Sequence, residues 1–173
     1  MIMNPEEKLI NRVADSGLIT IDLEEVFPKN EKESFDLKDY LFHGLILKEK
    51  DFREALKNLD WEKFRGKSVA VFCSAYAIIP LWAYMLAGVY LEPVASGFFF
   101  CREEDLDEHI MNEAISRLDI SVYQDQRVII KGCSDKSIPD SAYLEITRRL
   151  RPVVKSLMYG EACSNVPLYK KKS

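Results

Sequence analysis

Short apolar runs alternate with helical stretches through the second half of the chain, and this alternation constrains the fold more than any other feature. The predicted buried strands are residues 68–72, 94–100 and 127–131. The predicted helices are residues 79–90, 103–118 and 140–158. Strands that alternate with helices favour a parallel sheet. We therefore expect an α/β fold in three layers, with a mostly parallel sheet and helices on both of its faces.

The first 60 residues have a more mixed pattern than the rest of the chain. The predicted elements are a helix at 4–15, a strand at 18–23, a loop at 28–34, a strand at 40–47 and a helix at 51–59. No polar or flexible linker separates this part from the remainder. We therefore expect one α/β domain over residues 1–173, in which a mixed N-terminal extension (1–60) precedes a regular α/β part (61–173).

Charge and hydropathy exclude several classes of function. The net charge of −4 argues against a nucleic-acid-binding surface. No segment reaches the ~20 apolar residues that cross a bilayer, so no membrane association is expected. The first residues are acidic where a signal peptide would be basic. A cytoplasmic location follows, and in that reducing compartment the four cysteines are expected to be free, metal-bound or chemically active.

Three Cys-Ser dipeptides are the most informative motif of the chain. Cys73-Ser74 follows the strand at 68–72, and Cys133-Ser134 follows the strand at 127–131. In both cases a short loop leads to a proline that opens the next helix, and a tyrosine follows four residues after that proline. Cys163-Ser164 comes after the last predicted helix. The two strand-loop-helix segments therefore look like an internal repeat.

The placement of these thiols predicts a metal or cluster site. Ligands of open α/β sheets bind outside the carboxyl ends of the strands, and thiols on neighbouring strands can converge there on one ion. Cysteine thiolates bind zinc and iron–sulfur clusters. The expected ligands are Cys73, Cys133 and Cys163, which leave a fourth position for water, Glu161, His43 or a ligand from a partner protein. Other side chains of the repeat are expected to line the site: Ser74, Ser134, Tyr84 and Tyr143.

Two other interpretations of the cysteines remain open. The chain has no Cys-x-x-Cys pair, so each cysteine can equally be a small apolar residue of the core. Cys73 or Cys133 can also act as an activated nucleophile or sulfur carrier, because each precedes a helix. Arg148, Arg149 and Arg151 are expected to form a solvated helix face, with anion binding as the alternative.

A set of ordered motifs resembles an uncharacterised bacterial family, the domain of unknown function 2480, found mainly in Bacteroidetes. The motifs span residues 40–172 and include Phe72-Cys73-Ser74-Ala75, Trp82-Ala83-Tyr84-Met85-Leu86, Lys131-Gly132-Cys133, Met158-Tyr159-Gly160-Glu161 and Cys163-Ser164. The resemblance brings no established activity. It implies a genomic context of sulfur mobilisation and iron–sulfur assembly, and hence partners of that kind.

The sequence thus favours an accessory protein that binds zinc or an iron–sulfur species through thiolates. The alternatives are a thiol-dependent enzyme or sulfur carrier, and a structural interaction module with core cysteines. The sequence leaves the oligomeric state open.

Overall fold

The computed structural model describes residues 11–13, 17–131 and 137–172. These residues form a mixed α/β structure. The α-helices are α1 (Leu23–Val26), α2 (Glu49–Asn58), α3 (Leu81–Leu91), α4 (Leu106–Arg117) and α5 (Asp140–Leu150). The strands are β1 (Asn11–Val13), β2 (Leu18–Ile21), β3 (Lys32–Asp36), β4 (Leu41–Phe42), β5 (Ile46–Leu47), β6 (Ser68–Phe72), β7 (Gly97–Phe100), β8 (Arg127–Ile130), β9 (Ser156–Glu161) and β10 (Ser164–Lys170).

The chain divides into two compact units, each with its own sheet. Unit A comprises Met1–Pro28 and Met111–Ser173, and unit B comprises Lys29–Ile110. Sheet A, in unit A, has the strand order β1-β2-β8-β9-β10. Sheet B, in unit B, has the order β3-β6-β7. The short strands β4 and β5 form a separate hairpin.

Sheet B is parallel throughout, and β6 is its central strand. Val69 and Val71 belong to a buried cluster that includes residues of α2 and α3. The residue between them, Ala70, packs instead with Leu106 and Ile110 of α4. This alternation is the period-two pattern of a strand with both faces covered.

Sheet A is mixed, with a parallel centre and antiparallel edges. The strands β2, β8 and β9 run parallel, while β1 and β10 pair antiparallel at the two edges. Apolar side chains of β2 and β8 form one buried cluster with Ala142, Ile146 and Leu150 of α5. These three residues of α5 are spaced four apart, so they lie on one face of the helix.

The two units repeat one local plan. In each, a short 3₁₀ helix precedes a parallel strand, an α-helix and a second parallel strand; the 3₁₀ helices are Trp61–Phe64 and Ile120–Tyr123. The turn after each 3₁₀ helix has a residue with positive φ, Gly66 (68°) or Asp125 (55°). The amide of Gly66 donates to the Val94 carbonyl at 2.9 Å, and the amide of Asp125 donates to the Val153 carbonyl at 2.8 Å. The internal repeat seen in the sequence therefore extends well beyond the cysteine loops.

The structure confirms the α/β class and most elements of the second half, including the strands at 68–72 and 127–130. The parallel strands, expected in one sheet, lie in two sheets. The three-layer arrangement and the single domain stay predictions.

Several predicted elements were wrong. The helix expected at 140–158 ends at Leu150, and residues 156–161 form β9. The loop expected at 28–34 includes the start of β3, and the helix expected at 4–15 includes β1 at 11–13. The strand expected at 40–47 is a hairpin. The physical reason is common to all four: pairing with a neighbouring strand overrides weak local preference.

Candidate functional site

In each sheet, an aspartate lies at the carboxyl end of a strand that pairs in parallel with the central strand. In sheet B, Asp36 at the end of β3 lies opposite Phe72 at the end of β6. In sheet A, Asp22 and Lys131 directly follow the last paired residues of β2 and β8. These two carboxyl edges hold most of the side chains predicted to form a site.

At the edge of sheet B, Asp36 holds the loop that follows β6. The backbone amide and the hydroxyl of Ser74 donate to its carboxylate at 3.0 and 2.6 Å. The amide of Lys38 donates to it as well, at 2.9 Å. Burial works to raise the pKa of Asp36, but the hydrogen bonds from Ser74 and Lys38 outweigh it and hold the pKa below its ordinary value. Ser74 is therefore fixed in place by an ionised carboxylate.

Cys73 and Tyr84 lie beside this Asp36–Ser74 pair. The half-buried Cys73 thiol donates weakly to the Ala75 carbonyl, with a sulfur–oxygen distance of 3.7 Å. Burial raises the pKa of Tyr84, and the negative charge that Cys73 and Asp36 can carry raises it further. The Tyr84 ring packs edge-on against Phe100, with 5.0 Å between ring centroids. Three predicted site residues of unit B are thus close together.

At the edge of sheet A, the equivalent carboxylate forms an ion pair. Lys131 Nζ lies 2.6 Å from Asp22 Oδ2, and Asp22 also accepts from the Glu24 amide at 3.0 Å to cap α1. The hydrogen bond to Asp22 and the charge of Asp22 raise the pKa of Lys131, and Glu161 adds to this effect. Glu24 contributes in the same direction, so Lys131 lies within electrostatic reach of three carboxylates at this edge.

Tyr143 occupies in unit A the position that Tyr84 occupies in unit B. Its ring packs edge-on against Tyr159 of β9, with 5.9 Å between centroids. Burial raises the pKa of Tyr143, and the neighbouring Tyr159, Asp140 and Asp22 raise it further. The tyrosine–aromatic pair at the carboxyl edge is therefore a shared feature of the repeat.

Cys163 lies at the tip of the hairpin that joins β9 and β10. Glu161 pairs directly with Ser164, so the hairpin turn has two residues, Ala162 and Cys163. The Cys163 thiol is exposed to solvent. Since β8 and β9 are parallel neighbours, Glu161 and Cys163 lie at the same edge of sheet A from which the chain leaves β8.

A family model described as a protein of unknown function, DUF2480, matches residues 7–171 of the chain. The chain belongs to the DUF2480 family. No curated protein and no solved structure matches it. The resemblance drawn from the sequence motifs is confirmed.

Two predicted site residues of this DUF2480 chain, Cys133 and Ser134, lie outside the described residues. The flanking residues Lys131 and Ser137 are described. Lys131 continues the pairing of β8, since its amide donates to the Ile21 carbonyl at 2.9 Å. The segment that carries Cys133 therefore starts at the carboxyl edge of sheet A.

The number of residues between strand and helix shows how the two loops of the repeat align. Phe72 and Lys131 hold equivalent positions at the strand ends, and each lies eight residues before a helix-opening proline, Pro80 or Pro139. The two loops therefore align without a gap, whereas matching the two Cys-Ser dipeptides requires a shift of one residue. The equal spacing of the two loops can be seen in the sequence alone.

The ungapped alignment changes which residues correspond. Cys133 is equivalent to Ser74, the residue that Asp36 binds, and Cys73 is equivalent to Gly132. Moreover, β6 and β8 belong to different sheets, so neighbouring strands do not bring Cys73 and Cys133 together. Among the described strands, β8 is instead the parallel neighbour of β9, the strand that leads to Cys163.

The remaining candidates lie elsewhere. His43 is exposed in the turn between β4 and β5, with a positive φ of 50° and its ring 4.0 Å from the Phe42 ring. Cys101 packs against the Ala70 cluster, and burial and the nearby Asp105 raise its pKa. A half-buried thiol with a raised pKa is a poor nucleophile.

Two absences concern the part of the chain that the structure describes. Among these residues no three or more His, Cys, Asp or Glu side chains are grouped so that they could hold a metal ion. Within the same residues, no helix has the length and apolar character needed to cross a membrane.

Proposed function

We propose that this DUF2480 protein binds a metal ion or an iron–sulfur species through the thiolates of Cys133 and Cys163. The observation that carries the proposal is the parallel pairing of β8 with β9. Because of it, the segment with Cys133 and the hairpin with Cys163 leave the same edge of sheet A. Adjacent strands lie about 4.8 Å apart, a spacing that two ligands of one ion can bridge.

The donor chemistry at this edge fits a thiolate-binding metal. Two thiolates on one zinc ion, each about 2.3 Å from it, lie less than about 4 Å apart. Glu161, two residues before Cys163 in the hairpin, supplies a carboxylate as a third ligand. Three ligands leave a fourth position for water or for a ligand from a partner protein.

The rest of the predicted site has supporting roles in this proposal. Tyr143 lies at the edge of sheet A, and Ser74 and Tyr84 lie at the edge of sheet B, while Ser134 is outside the described residues. Cys73 follows a strand of sheet B, so the proposal does not depend on it. His43 lies in the hairpin of unit B, and the ligand set proposed here is drawn from the edge of sheet A.

The exposure of Cys163 supports an accessory role in iron–sulfur assembly. A ligand at the tip of a two-residue turn is open to a second protein, and an open coordination position lets a bound ion or cluster pass to that protein. Partners that mobilise sulfur or assemble clusters in a reducing cytoplasm fit this arrangement.

Cysteine substitutions test the ligand set. Cys133→Ser and Cys163→Ser are each expected to lower the metal bound per chain after anaerobic purification by at least about tenfold, because each removes a ligand. Cys101→Ser is the matched control, since its thiol packs against the core of sheet B and should leave metal content unchanged. Metal content that survives Cys163→Ser at the level of the unmodified protein would contradict the proposal.

A sulfur carrier is the second candidate, favoured by the solvent exposure of Cys163. In that case the protein purifies without metal, and Cys163 reacts with iodoacetamide much faster than Cys73 or Cys101. Equal rates for the three thiols would count against the carrier.

A further inference from the structure

The helices of the two units correspond residue by residue. Counted from the helix-opening prolines Pro80 and Pro139, their buried residues fall at matching positions without a gap. The matching pairs are Phe52 and Met111, Leu56 and Ile115, Ala83 and Ala142, Ala87 and Ile146, and Leu91 and Leu150. In unit A the second half of α4 therefore packs with α5 in the register in which α2 packs with α3 in unit B.

One pair of facing positions differs strongly between the two units. In unit B, the Arg53 guanidinium of α2 lies over the Trp82 ring of α3, with 5.9 Å between the guanidinium carbon and the ring centroid. The counterparts in unit A are Asn112 of α4 and Ser141 of α5. At the same contact between helices, two large side chains are thus replaced by two small polar ones.

Unit A keeps the helix contact on which this correspondence depends. Arg149 lies about two helical turns after Ser141 on the same flank of α5. Its guanidinium donates to the carbonyls of Ile115 and Leu118 at the end of α4. Ile115 itself lies about one turn after Asn112 on α4. This flank of α5 therefore faces α4, which places Ser141 against Asn112.

The oxygens of these two side chains are buried without a protein partner. Neither Asn112 Oδ1 nor Ser141 Oγ has a hydrogen-bond partner among the residues that the structure describes. The Ser141 hydroxyl therefore does not donate to the Asn112 carbonyl oxygen, although the one is a donor and the other an acceptor. A buried polar atom that stays unpaired costs free energy, and two of them at one contact call for a group that binds both.

We propose that α4 and α5 enclose a binding site for one water molecule, which bridges Asn112 Oδ1 and Ser141 Oγ. A water donates through both of its O–H groups, and it spans oxygens about 5 Å apart when each hydrogen bond is about 2.8 Å long. Buried waters of this kind have two to four polar partners. Where unit B places an indole ring and a guanidinium, the serine and the asparagine of unit A leave room for the water.

The chemistry of the two oxygens excludes other small ligands. Both are neutral, whereas sites for divalent cations include carboxylates. The Asn112 carbonyl oxygen accepts hydrogen bonds and repels an anion. The ligand of this site is therefore a small neutral hydrogen-bond donor, and water is the smallest.

The water would connect the start of α5 to α4. Ser141 lies in the first turn of α5, two residues before Tyr143, whose ring packs on Tyr159 at the edge of sheet A. Holding Ser141 to α4 from inside the unit fixes the turn of α5 that positions Tyr143.

A double-mutant cycle measures whether the two side chains act through one bridge. Asn112→Leu and Ser141→Ala should each lower the unfolding temperature by about 2–4 °C, because each leaves the other oxygen and the water short of a partner. The double variant should unfold within about 1 °C of the unmodified protein, since it removes both polar groups. Ser116→Ala is the control on α4 and should shift the temperature by less than about 1 °C, because that exposed hydroxyl donates only to the Glu113 carbonyl.

A crystal structure of the unmodified protein at about 1.5 Å resolution locates the water itself. It should show one water oxygen within about 3.2 Å of both Asn112 Oδ1 and Ser141 Oγ, and the double variant should lack it. Single-variant losses that add up in the double variant would overturn the bridge. A direct hydrogen bond between the two side chains in the crystal, or another side chain in the place of the water, would overturn the site even if a variant fails to fold.

Discussion

Replacing Gly160 with alanine is expected to lower the free energy of unfolding by about 3–5 kcal/mol. Gly160 has a φ of 122°, a conformation that side chains rarely adopt, and an added Cβ would lie 2.6 Å from the Ser164 carbonyl oxygen. The contact is with the backbone of the paired strand, so no side-chain rotation relieves it. Because the β9–β10 hairpin carries Cys163, the same change should also reduce bound metal.

The matched control is the same substitution at Gly44. That glycine also has a positive φ, 71°, but an added Cβ would meet no atom within 4 Å. Gly44→Ala should therefore cost only about 1 kcal/mol, the cost of the left-handed backbone alone. Urea unfolding at one fixed protein concentration measures both values. Equal losses for the two variants would show that the Gly160 contact with Ser164 does not constrain the hairpin.

Replacing Arg149 with methionine is expected to lower the free energy of unfolding by about 2 kcal/mol. The half-buried guanidinium donates to two carbonyls near the end of α4, those of Ile115 and Leu118, the latter at 3.0 Å. Methionine keeps much of the apolar volume and removes both hydrogen bonds. The Leu118 carbonyl then loses a charged donor in a partly buried place.

The neighbouring arginine provides the control for this prediction. Arg148 pairs with Glu145 on the same helix, and its side chain is 74% exposed. Arg148→Met should change the stability by less than about 0.5 kcal/mol, as for other exposed pairs of one helix. If thermal unfolding shows the same shift for both variants, the carbonyl contacts of Arg149 contribute nothing specific.

The sequence predicted the centres of both units well. Strands β6 and β8 are short apolar runs with charged flanks, and the prolines before α3 and α5 correctly predicted where these helices begin. These features are local: burial on both faces selects apolar residues, and proline fits the start of a helix. Local patterns of this kind can be interpreted without knowing which strands are neighbours.

The edges of the sheets could not be predicted in the same way. The strand β3 contains Lys32 and Glu33 because it is an edge strand, and its charges led to the prediction of a loop. The first residues of β9 were predicted as the end of a helix over residues 140–158. This segment forms a strand because it pairs with β8, and the paired residues are some 30 positions apart in the sequence.

The candidate site shows the same limit. The sequence correctly placed Cys73 at a strand end, and the structure places Cys163 at a sheet edge. The sequence could not show that β6 and β8 belong to different sheets, so the argument from neighbouring strands does not extend to Cys73. Arg149 was expected on a solvated face, and only the fold shows the α4 carbonyls that it binds.

The most direct test of the proposed thiolate site is the metal and sulfide content of the untagged protein purified without oxygen. The expected result is about one equivalent of zinc per chain, or iron with matching acid-labile sulfide. A protein with no metal, with all four thiols open to titration and no uptake on reconstitution with zinc or with iron and sulfide, would contradict it.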